Sequence, residues 1–204
     1  GPLFKAQQDY TADGEFITRI LRYGSDDADT AINGLSRALL LGGATVSGDV
    51  GNHVHVSHSG MENADRNRLN RLFARYEDEL LDIAAAGQSR IRGYNGREKQ
   101  FTDRIWSETD RSMDEWNFYN YSQAQKLSWK NETVEFRLWN ATKMAWRLRT
   151  HVGLSVAMVL AAKDGVETSA TDDRCLEDVI GDYIDPPTWA GILRQRYAKG
   201  GITK

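Results

Sequence analysis

The chain has 204 residues, 40% of them hydrophobic and six of them tryptophan, which is enough for one sizeable core and, by default, one domain. Lys and Arg total 26 against 29 Asp and Glu, and the net charge of −3 removes any general electrostatic reason to expect nucleic acid or a membrane surface as partner. A single cysteine, Cys175, excludes an internal disulfide framework, and no apolar run reaches about 18 residues or follows the pattern of a secretory leader, so a cytoplasmic setting is expected.

The first residues are Gly1 and Pro2 rather than Met, so either the numbering begins inside a longer protein or a tag has been removed. Residues 3 to 18 read as extended, with a turn from Asp9 to Gly14 and a short strand from Gly14 to Thr18 in which Glu15 alternates with apolar positions. Ser25, followed by Asp26 and Asp27, reads as a helix cap with acidic residues in the first turn. Ala31, Leu35, Ala38, Leu39 and Leu41 form its apolar stripe, and Gly42 and Gly43 close it.

Gly51 to Ser57 reads Gly-Asn-His-Val-His-Val-Ser. Its period of two predicts a half-buried strand with His53, His55 and Ser57 on one face and Val54 and Val56 on the other. Three of the chain's four histidines, His53, His55 and His58, fall within six residues. A solvated histidine face and a ligand-binding face are both consistent with that pattern. From Asn63 to Ala85 apolar residues recur at three- and four-residue steps, which predicts one long scaffold helix with mostly exposed charge on its other face.

Arg90 and Arg92 sit among turn residues between Gly87 and Gln100. A guanidinium on such a loop suits phosphate or carboxylate, and a solvated loop suits it equally. Phe101 to Trp116 is a further candidate helix, and Trp116 to Tyr121 is an aromatic stretch without the basic interleaving that single-stranded nucleic acid would need. Thr133 to Asn140 predicts a second strand, with Glu135 and Arg137 on one face and Val134, Phe136 and Leu138 on the other. Glu135 and Arg137 are spaced either to pair with each other or to share a ligand, the carboxylate taking a metal and the guanidinium an oxyanion. Thr142 opens a helix running to about Lys163, with Met144, Ala145, Leu148, Val152, Ser155, Val156 and Val159 along one stripe and His151 packed nearby. Asp172 to Tyr183 and Pro187 to Ala198 read as two short helices.

Three segments, taken in order, resemble the amidoligase family, which belongs with glutamine synthetases and glutamate-cysteine ligases. They are Asp9 to Thr18, the Gly-Asn-His-Val-His-Val-Ser strand with a long helix after it, and Val134-Glu135-Phe136-Arg137 followed by an apolar helix. The resemblance implies an α+β fold with a curved antiparallel sheet of the glutamine synthetase type and helices packed on one face. Residues 1–165 would form the catalytic-fold domain, and 166–204 a helical extension packed on it.

The implied activity is ATP-dependent carboxylate-amine ligation through an acyl phosphate, with ATP and Mg2+ as cofactors and small-molecule or peptide carboxylates and amines as substrates. His53 and Glu135 would ligate the magnesium, and Glu15 and Asp9 would belong to a second metal position. His55 and Ser57 would contact nucleotide, Arg137 would stabilise phosphoryl transfer, and Arg90 or Arg92 would clamp substrate or phosphate. Members of the family open with a strand carrying Gly-x-Glu-x-Glu, and nothing before Asp9 matches it. That strand is therefore expected upstream of Gly1, or lost in a catalytically degenerate relative that binds or inhibits. A homo-oligomer or a protein partner is left open.

Overall fold

The computed structural model describes residues 2–7, 15–46, 51–85 and 127–198. Asp9, Arg90, Arg92 and the aromatic stretch from Trp116 to Tyr121 lie outside them. The fold is mixed α+β, rich in helix, with two small antiparallel sheets among the described residues. In the first, β1 (Phe4–Gln7) pairs with β2 (Glu15–Thr18). In the second, β3 (Gly51–Ser57), β5 (Thr133–Asn140) and β4 (Leu127–Trp129) lie in the order β3-β5-β4. At three residues, with Ser128 at its centre, β4 is too short to carry an alternation signal of its own.

The strand of the first sheet leads into α1 (Asp26–Leu41). Ser25 caps it as expected, its Oγ accepting from Ala28 N at 3.2 Å. Gly43 adopts the left-handed φ of 66° that ends the helix without a Cβ clash. The predicted stripe is rotated, however. Ala31 and Ser36 are buried while Leu41 is 77% exposed, and Ser36 Oγ donates to the Lys143 carbonyl at 2.5 Å on the buried side.

The single long helix expected over 63–85 is two helices, α2 (Asn63–Arg75) and α3 (Glu77–Ala85). Tyr76, at φ −106° and ψ 16°, leaves helical geometry between them and is fully buried. Arg75 at the break donates to the Asp172 carbonyl, a tertiary contact that no local periodicity encodes. Glu77, expected among the exposed charges, is buried.

Period two holds along β3, where Val54 faces the core while His53 and His55 face away from it. On β5 it slips. Asn52 pairs with Trp139 and Val54 with Phe136, so two residues, Arg137 and Leu138, lie across from His53 alone. Beyond this slip Trp139 is buried alongside Leu138, which strict alternation would have turned outward.

Helices α2, α3 and α4 (Ala145–Lys163) cover the apolar face of this sheet. Phe136 packs there at 6.3 Å from Phe73, and complete burial of such a side chain contributes roughly 3 kcal/mol. α4 departs from the one-stripe prediction: Thr150, His151, Leu154, Ala157, Met158, Ala161 and Ala162 are all buried, and Met144, placed on the stripe, is 46% exposed. A helix covered on most sides carries little amphipathic signal.

The covering on its far side comes from α5 (Leu176–Ile180), the 3-10 turn Gly181–Tyr183 and α6 (Pro186–Ala198). Leu176, Ile180 and Ile192 of these elements belong to the same buried cluster as Phe136. Pro186, one residue earlier than expected, opens α6, and Asp185 Oδ1 caps it by accepting from Thr188 N at 2.9 Å. α4 and α6 approach closely because glycine on each faces threonine on the other. A Cβ on Gly153 would sit 1.9 Å from Thr188 Oγ1, and one on Gly191 would sit 1.7 Å from Thr150 Oγ1.

Candidate functional site

The polar face of the three-stranded sheet collects the residues singled out by pattern. His55 and Glu135 are direct cross-strand partners, and Ser57 pairs with Thr133, so the antiparallel register puts these side chains on one face. His53 lies one alternate position along. Its Nδ1 is 3.2 Å from Glu135 Oε1, and His55 Nε2 is 3.6 Å from the same oxygen. Arg137 Nη1 approaches that oxygen at 3.7 Å. Of the predicted residues, His53, His55, Glu135 and Arg137 therefore meet at one carboxylate.

Lys130 was not anticipated. Its Nζ lies 3.2 Å from Glu135 Oε2, so the second oxygen is held as well. It reaches this place because Leu127–Trp129 and Thr133–Asn140 form a hairpin in which Lys130 N donates to Thr133 O at 2.8 Å. The signal was present in the sequence: Asn131 sits between Leu127-Ser128-Trp129 and a clear strand, and the hairpin register puts Ser128 opposite Glu135. His58 holds the same turn, with its backbone N donating to Glu132 O at 3.2 Å and its imidazole Nε2 3.0 Å from Lys130 O. The ring packs on Trp129 at 5.5 Å. His58, part of the histidine cluster, thus braces the hairpin from the other side of the turn.

Glu135 is buried, and burial by itself raises a carboxyl. The hydrogen bond from His53, the Arg137 charge, the Lys130 ammonium and the nearby His55 outweigh it and hold Glu135 down at about 2. Burial pushes the His55 imidazole below its ordinary value despite the attraction of Glu135, so His55 is neutral at pH 7. His55 Nδ1 also lies 3.2 Å from Thr133 Oγ1, which orients the ring. Among the described residues, one carboxylate therefore faces one ammonium and one guanidinium.

Ser57 ends the strand with its hydroxyl accepting from Ser59 N at 3.2 Å. Glu15 stands in the other sheet, where its Oε2 accepts from Gln7 Nε2 at 2.9 Å. Among the described residues no hydrogen bond or ion pair joins it to the Glu135 cluster. Magnesium prefers several oxygen ligands. The cluster provides one carboxylate and two imidazoles, with Lys130 already on the carboxylate's second oxygen. Among the described residues no group of three His, Cys, Asp or Glu side chains is arranged to hold a metal ion, so these residues alone do not make a magnesium centre.

Among the described residues no helix is long and apolar enough to cross a membrane. No family model matches the chain, and no curated protein or solved structure matches it either.

Proposed function

We propose that the chain is an ATP-dependent carboxylate-amine ligase of the amidoligase type, built on a sheet of the glutamine synthetase kind and forming an amide bond through an acyl phosphate. The observation that carries this reading is the meeting of His53, His55 and Arg137 around Glu135 on one sheet face, all four drawn from the two strands whose sequences resemble the family, with Lys130 joining them from the hairpin turn. ATP and Mg2+ are the cofactors of the reading. Oxygen ligands beyond Glu135 are needed for the metal.

The chain's own groups have roles that follow from charge and position. Arg137, held at the strand slip, and Lys130, 45% exposed on the hairpin turn, offer positive charge to phosphate oxygens, which disperses the negative charge of a migrating phosphoryl group. Glu135 keeps the two cations from repelling each other in the free protein. His53 donates to Glu135, and His55, neutral and braced by Thr133, presents a hydrogen-bonding ring beside it.

Calorimetric titration of the purified chain with ATP in the presence and absence of Mg2+ tests the reading. Magnesium-dependent binding that is lost in His53→Ala supports it, and an unchanged nucleotide affinity in that variant overturns it. A second reading, a catalytically silent binding or inhibitory protein on the same fold, is favoured by the fact that both oxygens of Glu135 are already engaged within the chain. Phosphate release that depends on an added amine would refute that second reading.

A further inference from the structure

Asn52 is a polar residue on the apolar side of β3, sharing its face with Val54 and Val56. Burying an amide there costs free energy unless it is hydrogen-bonded. Its partner is His151 of α4: Asn52 Nδ2 donates to His151 Nδ1 at 3.2 Å. The His151 ring lies flat on Trp139, with centroids 4.7 Å apart and planes 10° from parallel. Trp139 is the residue paired with Asn52 across the sheet. Trp139 Nε1 donates to Ser155 Oγ at 3.1 Å, and that hydroxyl donates to the His151 carbonyl at 2.9 Å. The four residues close a loop that ties α4 to one rung of the sheet, and His151, Trp139 and Ser155 are essentially inaccessible.

That rung stands immediately beside the register slip at which Arg137 and Leu138 share the place opposite His53. A slip of this kind is not dictated by apolar pattern, since one residue of further slippage would exchange the faces of a whole strand segment. Something must specify it. The neighbouring Gly51 has no side chain with which to do so, and a Cβ there would meet His53 Nε2 at 3.3 Å. The loop is also poorly suited to stability alone. His151 Nε2 is buried without a hydrogen-bond partner among the described residues, a desolvation cost that an apolar side chain would avoid. Burial holds the ring neutral, its pKa pushed down to about 3, so Nδ1 is free to accept from Asn52 at any ordinary pH.

We propose that Asn52 and His151 are positioning residues that lock the strand slip and thereby aim His53 at Glu135 and, with it, the proposed nucleotide site. The proposal rests on the ligase reading only for the identity of what His53 faces; its structural content is the orientation of one imidazole. His151→Phe keeps a flat ring on Trp139 and removes the acceptor for Asn52. His151→Asn removes the ring but keeps a polar atom where Nδ1 stands. Asn52→Val removes the donor and leaves a β-branched residue that suits the Val54 and Val56 face.

The test is the long-range proton–nitrogen NMR spectrum of the histidine rings, assigned with His53→Ala, together with calorimetric Mg-ATP affinity. In His151→Phe and Asn52→Val the His53 ring signals should move, reporting loss of the Nδ1 contact with Glu135, while those of His55 stay in place. His151→Asn should return the His53 signals toward the native positions. Mg-ATP affinity should fall about tenfold or more in the first two variants and recover in the third. Native His53 signals in folded Asn52→Val or folded His151→Phe overturn the proposal. Shifted His53 signals in a protein that never bound Mg-ATP would uphold the positioning role and refute the ligase reading, so the two fail separately.

Discussion

Replacing Glu135 by Gln removes the negative charge that the described residues place among Lys130, Arg137, His53 and His55, while keeping the size and one of the two acceptor oxygens. The native carboxyl is held at about 2 against an ordinary 4.5. At about 1.4 kcal/mol per pH unit, that depression corresponds to roughly 3 kcal/mol of folding stability at neutral pH. The whole amount is an upper value, because Lys130 is 45% exposed and can swing into water when its partner is lost, whereas Arg137, 13% exposed, cannot do so as freely. A depressed carboxyl stabilises the fold above its unfolded value, and that contribution disappears as pH falls through the folded value. Urea unfolding of the native chain and Glu135→Gln between pH 7 and pH 3 is the assay. The two should differ by roughly 2–3 kcal/mol above about pH 5, and the gap should narrow steadily as pH falls toward 3. A Glu135→Gln protein as stable as the native chain at pH 7, or a gap that does not change with pH, would refute the electrostatic account of the cluster.

Gly153→Ala should destabilise by about 1–3 kcal/mol or more despite alanine's better helix propensity, since the added methyl meets Thr188 Oγ1 at 1.9 Å and Tyr23 Oη at 2.7 Å. Thr188→Gly in the same chain should recover part of the loss, whereas additive effects in the double variant would show that the two helices do not touch as described. Gly181→Ala is the matched control. Its Cβ would meet nothing within 4 Å, and thermal melts should show it neutral or slightly stabilised. Tyr76→Phe should be neutral or stabilising by about 1 kcal/mol, because the Tyr76 hydroxyl is buried with no hydrogen-bond partner among the described residues; a loss above that size would reveal a partner.

Period-two alternation was enough to set His53 and His55 apart from Val54, and to set Glu135 apart from Val134 and Phe136, because side chains of a strand alternate wherever it lies. The cap at Ser25 and the close at Gly43 were equally legible, being local hydrogen-bond and dihedral requirements. By contrast, the break at Tyr76 coincides with a contact from Arg75 to the Asp172 carbonyl, 97 positions away, that no local pattern encodes. The burial of α4 on most sides depends on α6 covering a face that has no stripe of its own.

The site divides along the same line. Residue type and spacing nominated His53, His55, Glu135 and Arg137, and chemistry at that level allowed either a ligand site or a simple ion pair. Tertiary structure put His53, His55 and Arg137 around the Glu135 carboxylate, added Lys130 from the hairpin turn, and left Glu15 in a separate sheet. It also supplied Asn52 and His151 behind the strand, joined across 99 positions. The sequence alone determines which faces of its strands are polar as far as alternation runs unbroken, because that follows from backbone geometry within a few residues, and it fails past the slip that buries Trp139. Which polar faces meet, and at what register, is a property of long-range pairing and packing, where a one-residue slip opposite His53 changes what its imidazole can reach.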